Sequence, residues 1–599
     1  MAPPLGRPRE RTYRTVAKHR LCGQGRIEYC GAERLHEGWW SGEGLAVGTY
    51  GQNRLVYIFV GQEENGSYPV LEPSGRRSVD LAGLAALEQE HQPRWVFASV
   101  ERLYPELVRG GLRISRCHDL SLAEGLLLAY EGSSGPRGLA AAFARANGLE
   151  PPPDEPAHAD LQPALFETRG SGLPAGVAEV DAAKAVLAEQ ERRIGKSEHP
   201  DRLRLLIAAE SASALVAAEM THDGLPWRPD IHDALLTEIL GPRVPAGQRP
   251  KKLVELAARV SEAFGGKPVN PDSPASIVRA FSREGISVAS ARAHVLRGVD
   301  HPAVGPLIEY RELSRLYSAN GWAWLDEWVR GGRFRPAWVV GGVVSGRWAS
   351  QGGGALQIPK TLRVCVRADP GWKLVVADAA QLEPRILTAL SGDRRLAEVS
   401  ASTDLYARLA EAMFPVADEK SRGRAKIAML SAMYGGTAGE ASSLLALLRQ
   451  RFPDAVSYVE RAAQAGERGE RVRSRLGRTS PAPSEAWRAL TGAAEDDGRA
   501  RQAARNWGRF TRNFVVQASA ADFTAVLLAT LRRRLPAPAH LVFFQHDEVI
   551  VHAPDSIAGQ VPALIESSVA EASALMFGPS CPVHFPMHTA VADTYADAK

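Results

Sequence analysis

At 599 residues and 45% hydrophobic content, the chain is too long for one small domain and too apolar for a disordered one, so several cores are expected. With 72 Lys and Arg against 68 Asp and Glu, the net charge of +4 excludes a protein that is basic all over and confines any nucleic-acid surface to local clusters. Five cysteines, at 22, 30, 117, 365 and 581, form no CxxC or Cys/His spacing, and neither an eighteen-residue apolar run nor a signal-type apolar region is present; no structural zinc and no membrane partner are expected, only a soluble cytoplasmic protein with reduced thiols.

Residues to about Lys18 are rich in Arg and Pro and read as a basic disordered tail, extending to residue 25. From Arg26 to about Leu149, strand-like runs (Leu45 to Thr49, Leu55 to Val60, Arg94 to Val100) alternate with helical ones such as Leu120 to Tyr130, the pattern of an α/β domain. The Pro-rich tract PPPDEPAHAD from Pro151 reads as a connection. From about Ala182 to Arg330 the period is helical, and Arg311 and Arg315, one turn apart, form a pair that could meet phosphates, although Arg pairs on exposed faces are usually just solvated.

In LVVADAAQLEPRILTALSGD, from Leu374, an apolar strand ends at Asp378 and hands over to a helix carrying Gln381 and Glu383 in its first turn. Downstream, Arg422, Lys426, Leu430 and Tyr434 recur every fourth residue along one helical stripe headed by two cations, a pattern that a solvated helix face also gives. Arg509, Asn513 and Gln517 share a polar face at the same spacing on a later helix. HLVFFQHDEVIVHAP, from His540, reads as a hairpin with Asp547 and Glu548 at its tip, and two carboxylates between apolar strands require a cation to offset repulsion and desolvation. If Asp378 and Asp547 face each other, they can hold two Mg²⁺ ions about 3.5–4 Å apart, the clamp for in-line phosphoryl transfer.

These stretches resemble the family A DNA polymerases, the DNA polymerase I family. DAAQLEPR at Asp378 is similar to the first polymerase motif, RGRAKIAMLSAMYGG from Arg422 to the second and QHDE at Gln545 to the third, in the same order. The resemblance implies a multidomain α/β and α+β protein, a right-hand polymerase of palm, fingers and thumb preceded by a ribonuclease-H-like domain of the 3′–5′ exonuclease type. On this chain the exonuclease-like domain is expected at 26–180, the thumb at 181–335, the palm at 336–400 and 501–599, and the fingers at 401–500.

The implied activity is addition of dNMP from a dNTP to a primer 3′-hydroxyl on primer–template DNA by two-metal nucleotidyl transfer, in replication or repair, by a monomer. Asp378, Asp547 and the Ala379 carbonyl would hold two Mg²⁺ ions, with Mn²⁺ as a substitute; Glu548 would support them and Lys426 would protonate the leaving pyrophosphate. Gln381, Glu383, Arg422, Lys426, Leu430 and Tyr434 would receive the nucleotide, with Glu383 crowding the sugar 2′ position. Arg347, in VSGRWASQGGGALQIPKTLR, would test minor-groove acceptors near the primer end, and Arg509, Asn513, Gln517 and His546 would join it on the DNA. The chain departs from the family at Leu430, where Phe or Tyr is usual, at Tyr406, where His is usual, and at Gly352 to Gly354, which replace a less flexible linker; the Asn after Gln357 is missing.

RISRCHDLSLAEGLLLAY is similar to the middle of the exonuclease domain, with His118 and Asp119 at a strand end. The family takes two carboxylates from a D-x-E on its first strand; here Asp80 and Asp119 are the only aspartates among the first 120 residues and neither begins a D-x-E, while Asp160 lacks the Tyr four residues earlier. Proofreading is therefore expected to be lost, with Glu28 or Glu33 the remaining substitutes. Two other readings stand beside the polymerase. A single-subunit RNA polymerase shares the metal aspartates and the finger lysine, but Glu383 argues against it. A silent DNA-binding remnant is opposed by retention of Asp378, Asp547, Arg422 and Lys426.

Overall fold

The short aromatic and β-branched runs after Val56 pair into a five-stranded sheet. Strands β1 (Tyr57–Val60), β2 (Tyr68–Glu72) and β3 (Gly75–Val79) form an antiparallel meander, and β4 (Arg94–Phe97) and β5 (Arg116–Asp119) add in parallel on the far side of β1, giving the order β3-β2-β1-β4-β5. This computed structural model describes residues 56–63, 65–154, 172–245, 247–436, 439–492 and 498–599; the expectations for the basic tail, Leu45 to Thr49, Glu28, Glu33, Asp160, Cys22 and Cys30 lie outside them. Parallel neighbours need crossovers, supplied by helices Leu81–His91 and Val100–Arg109. Side chains alternate across the sheet, so Ile58, Val60, Trp95 and Phe97 pack with Tyr104 and Leu107 on one face while Phe59 and Val96 pack with Leu120, Val186 and Leu187 on the other.

That second face corrects one boundary. Helix Glu179–Gly195 buries Val180, Ala183, Val186 and Leu187 against it, so this helix belongs with the first sheet and not with the thumb expected from residue 181. Its 3.6-residue period defines an apolar stripe but not the surface that the stripe will cover.

Helix α1 (Pro200–Asp223) is buried along most of its length and joins the two halves. Glu210 shares the buried Arg478 guanidinium with Asp522, and Glu219 receives Tyr104 Oη at 2.5 Å and Arg532 Nη2 at 2.6 Å. Beyond it, two small helical cores form around Phe264, Ile277, Phe281 and Leu307, and around Leu236, Leu256, Tyr310 and Trp322. Arg311 turns inward to the Ala291 carbonyl, so of the expected phosphate-facing pair only Arg315 is exposed.

The second sheet has β6 (Trp372–Ala379) at its centre, flanked by β8 (Glu548–Pro554) and β9 (Met587–Ala592), with β7 (His540–Gln545) outside β8; every pairing is antiparallel. Leu374 to Ala377 are buried on both faces, as their unbroken apolar run predicts. Between β6 and β7 the chain is helical. Helix α2 (Leu382–Ser391) follows β6 directly, then α3 (Leu405–Met413) and α4 (Glu419–Tyr434). A capping box between Asp418 and Ser421 starts α4, and Gly435, in the left-handed conformation at φ 73°, ends it. Helix α5 (Gly498–Arg534) is long and apolar enough to cross a membrane, but most of its apolar window is buried against α1 and helices Pro453–Glu467 and Val561–Phe577, the environment of a core helix.

Candidate active site

The register of the second sheet brings the predicted carboxylates together. Asp378, near the end of β6, lies directly opposite Glu548, the first residue of β8. The Gln545–Glu548 pair closes a two-residue turn of His546 and Asp547, and His546 takes the left-handed φ of 58° that so tight a turn demands. Ala379 N donates to the Asp547 carbonyl at 2.9 Å, which ties the strand end to the turn.

Like charges directly opposite in a sheet repel, and the protein compensates only in part. The Lys599 ammonium contacts Asp378 Oδ2 and lies 3.2 Å from Glu548 Oε2. Glu548 is buried, with the Tyr595 hydroxyl beside it. Although its side chain reaches solvent, Asp547 stands in a cleft whose walls cost it water, and with Asp378 beside it the carboxyl is pushed up to about 6. Three carboxylates against a single ammonium fit hard divalent cations. Among the described residues no three His, Cys, Asp or Glu side chains form a ready metal cage.

A second constellation faces the carboxylates. Glu383, in the first turn of α2, accepts from Arg347 on Oε1 and from Tyr434 Oη on Oε2 at 2.5 Å, so both of its oxygens are held. Gly435 lies on Arg509: a Cβ there would stand 2.7 Å from Arg509 Cγ. Asn513, one turn on, adjoins the Tyr434 hydroxyl. Burial, then the Arg347 charge, lowers the pKa of His546. Arg347, Glu383, Tyr434, Arg509, Asn513, His546 and Asp547 thus converge, while Gln517 sits half-buried farther along α5. Along α4, Arg422 Nε is held by Asp404 Oδ2 at 2.8 Å, Lys426 is exposed and Leu430 is partly buried; Tyr406, on the neighbouring α3, is buried.

Gln381 Oε1 accepts from Leu405 N at 3.3 Å and Arg385 Nη2 at 3.4 Å, which orients the side-chain amide at the start of α2. Arg385 itself is a determinant that the sequence did not single out. Fully buried, it donates to the carbonyls of Ala380, Ser400, His584, Ser402 and Thr403, pinning the start of α2 to the segment before α3. Its signals were its place as the last residue of the DAAQLEPR motif and a cation on an otherwise apolar helix stripe. The three glycines acquire a reason as well. All of Gly352, Gly353 and Gly354 have positive φ, and a Cβ on Gly352 would stand 2.0 Å from the Trp328 ring. Trp324 Nε1 donates to the Gly353 carbonyl at 2.7 Å and Gln545 Nε2 to the Leu356 carbonyl at 2.8 Å, so the loop lies flat between an aromatic floor and the carboxylate hairpin.

The first sheet holds no comparable constellation among the described residues. Asp119 is buried and accepts from Val100 N at 2.8 Å and Leu122 N at 2.9 Å, capping two helices, and Asp80 caps a third through Gly83 N at 2.8 Å. His118 pairs with Gln190 at 3.1 Å.

Comparison with known proteins agrees with this geometry. The profile of DNA polymerase family A matches residues 247–597, more than half of the chain. A thermostable DNA polymerase I of Thermus filiformis is 30% identical over 308 residues, 47% of this chain and 35% of that protein. DNA polymerase I of Bacillus subtilis is 25% identical over 439 residues, 65% of this chain and 46% of the relative. The chain thus spans about a third to a half of the length of these curated relatives. In fold, it is similar to the POL domain of Pol1 from M. smegmatis, solved in complex with DNA primer-template and dNTP, with a TM-score of 0.67 at 18% identity over 90% of this chain and 95% of that one. With the profile spanning both the carboxylate hairpin and the helix of Arg422 and Lys426, the chain belongs to DNA polymerase family A.

Proposed function

We propose that this protein is a template-directed DNA polymerase that adds dNMP to the 3′-hydroxyl of a primer. The observation that carries the reading is the sheet register that sets Asp378 against Glu548 with Asp547 on the adjoining turn, beside a Glu383 fixed by Arg347 and Tyr434. Members of this family work with divalent metal ions; we assign two Mg²⁺ to Asp378 and Asp547, with the Ala379 carbonyl as a further oxygen donor and Mn²⁺ as a substitute. Bound there, the cations lower the pKa of the attacking hydroxyl and offset charge on the pyrophosphate.

The chain's own residues do the positioning. Arg422 and Lys426 present two cations on one stripe to the triphosphate, and Lys426, exposed in the cleft, is placed to give a proton to the leaving group. Glu383, with neither oxygen free to swing away, excludes a 2′-hydroxyl by bulk and charge. Arg347, Arg509, Asn513 and His546, with Gln517 farther along α5, are assigned to the minor-groove acceptors of the duplex, a role supported by the convergence of the first four beside Asp547. The capping duty of Asp80 and Asp119 favours loss of proofreading. The test is extension of a labelled primer with dNTPs and, separately, NTPs: templated extension with dNTPs alone supports the reading, and preferential use of NTPs overturns it in favour of an RNA polymerase.

A further inference from the structure

We propose that Lys599 is a positioning residue of the carboxylate site: its ammonium holds Asp378 and Glu548 together in the cation-free protein and is displaced when a divalent cation binds. The proposal rests on the reading of Asp378 as a cation ligand.

Three observations carry it. Lys599 reaches both carboxylates that the sheet places directly opposite each other, and it occupies Asp378 Oδ2, an oxygen that a cation needs. The segment delivering it is anchored. Tyr595 N donates to the Val366 carbonyl at 3.0 Å, the buried Tyr595 ring lies under the Arg363 guanidinium at 4.5 Å, and the Thr594 hydroxyl bonds Asp597 at 2.7 Å. The compensation is also incomplete, since one ammonium faces the two carboxylates of Asp378 and Glu548, with only the neutral Tyr595 hydroxyl beside Glu548 to add to it. A divalent ion offers twice the charge to the same oxygens, and like-charge repulsion sets ammonium and metal in competition for Asp378 Oδ2. Lys599 therefore stabilises the site while it waits and weakens the apparent affinity of the cation that replaces it.

The experiment measures Mn²⁺ binding to the full chain without DNA or nucleotide, following free Mn²⁺ by electron paramagnetic resonance, for the native protein and for Lys599→Ala, Lys599→Arg and Asp378→Ala. Removing the competing ammonium is expected to tighten Mn²⁺ binding about tenfold in Lys599→Ala, while Lys599→Arg stays near the native value. Thermal unfolding gives a second readout: in chelator Lys599→Ala melts below the native protein, and saturating Mn²⁺ removes the difference. Unchanged or weaker Mn²⁺ binding in Lys599→Ala, with binding lost in Asp378→Ala, overturns the role of Lys599 alone. Native-like binding in Asp378→Ala overturns the assignment of the carboxylates on which it rests.

Discussion

Replacing Arg385 with Met keeps the volume of the side chain and removes every donor. In the native protein Arg385 Nε lies 2.8 Å from the Ala380 carbonyl, Nη1 2.9 Å from that of His584, and Nη2 2.7 Å and 3.0 Å from those of Ser402 and Thr403, with Ser400 as a fifth acceptor. Burial pushes this guanidinium down to about 10, so it is still charged at neutral pH and its bonds are charge-assisted. Leaving a buried carbonyl unpaired costs about 1 kcal/mol at the low end, so five of them, with some regaining water, give about 3–5 kcal/mol. Because the chain has several cores, the loss should be local and not one global transition. Amide hydrogen exchange in α3 reads it directly: protection is expected to fall by about 10²–10⁴-fold, while β1 to β5 keep theirs. Protection in α3 within a factor of about three of native, equivalent to well under 1 kcal/mol, would refute the assignment of Arg385 as the residue that pins this segment.

Glu383→Ala should raise ribonucleotide use relative to deoxynucleotide use by about 10–200-fold, the scale on which a missing steric group changes discrimination; an unchanged ratio in competitive extension would place the gate elsewhere. Gly352→Ala and Gly354→Ala both pay about 1–2 kcal/mol for the left-handed backbone, but only the first meets Trp328, so it should cost about 1–3 kcal/mol more, and Trp328→Ala should remove that difference; equal melting shifts for the two glycine variants would contradict the packing. A mismatched labelled primer incubated with Mg²⁺ or Mn²⁺ and no dNTP should stay full length, and Asp119→Ala should lower stability by about 1–2 kcal/mol through loss of its caps; stepwise shortening that disappears in that variant would show a live exonuclease site.

What was legible in the sequence was what is encoded locally. Asp378 terminates its own apolar strand, Asp547 and Glu548 occupy their own hairpin tip, and the stripe from Arg422 to Tyr434 lies within one helix, so short-range periodicity places each of them. Their convergence stayed conditional in the sequence, and it is the antiparallel pairing of β6 with β8 in the structure that fixes which residues stand opposite. Partners contributed from distant segments could not be read in this way. The carbonyls around Arg385 come from three stretches of chain, the last near His584, and Lys599 approaches Asp378 across 221 residues. Gly352 to Gly354 looked like a loosened linker because the aromatic floor that requires them is built by Trp324, Trp328 and Phe334. Helix Glu179–Gly195 was assigned to the wrong neighbour for the same reason: amphipathic spacing says that a face is buried and is silent on the surface that buries it.

The central claim, that Asp378 and Asp547 jointly hold the cations of a templated nucleotidyl transfer, is tested most directly by single-turnover extension of a labelled primer–template with the next complementary dNTP and Mg²⁺. The native protein should add the templated nucleotide, and Asp378→Ala and Asp547→Ala should each lose extension by at least about 10³-fold while binding the duplex with native affinity, since the carboxylates act on transition-state charge and other residues grip the phosphates. Extension at a near-native rate in either variant would contradict the account.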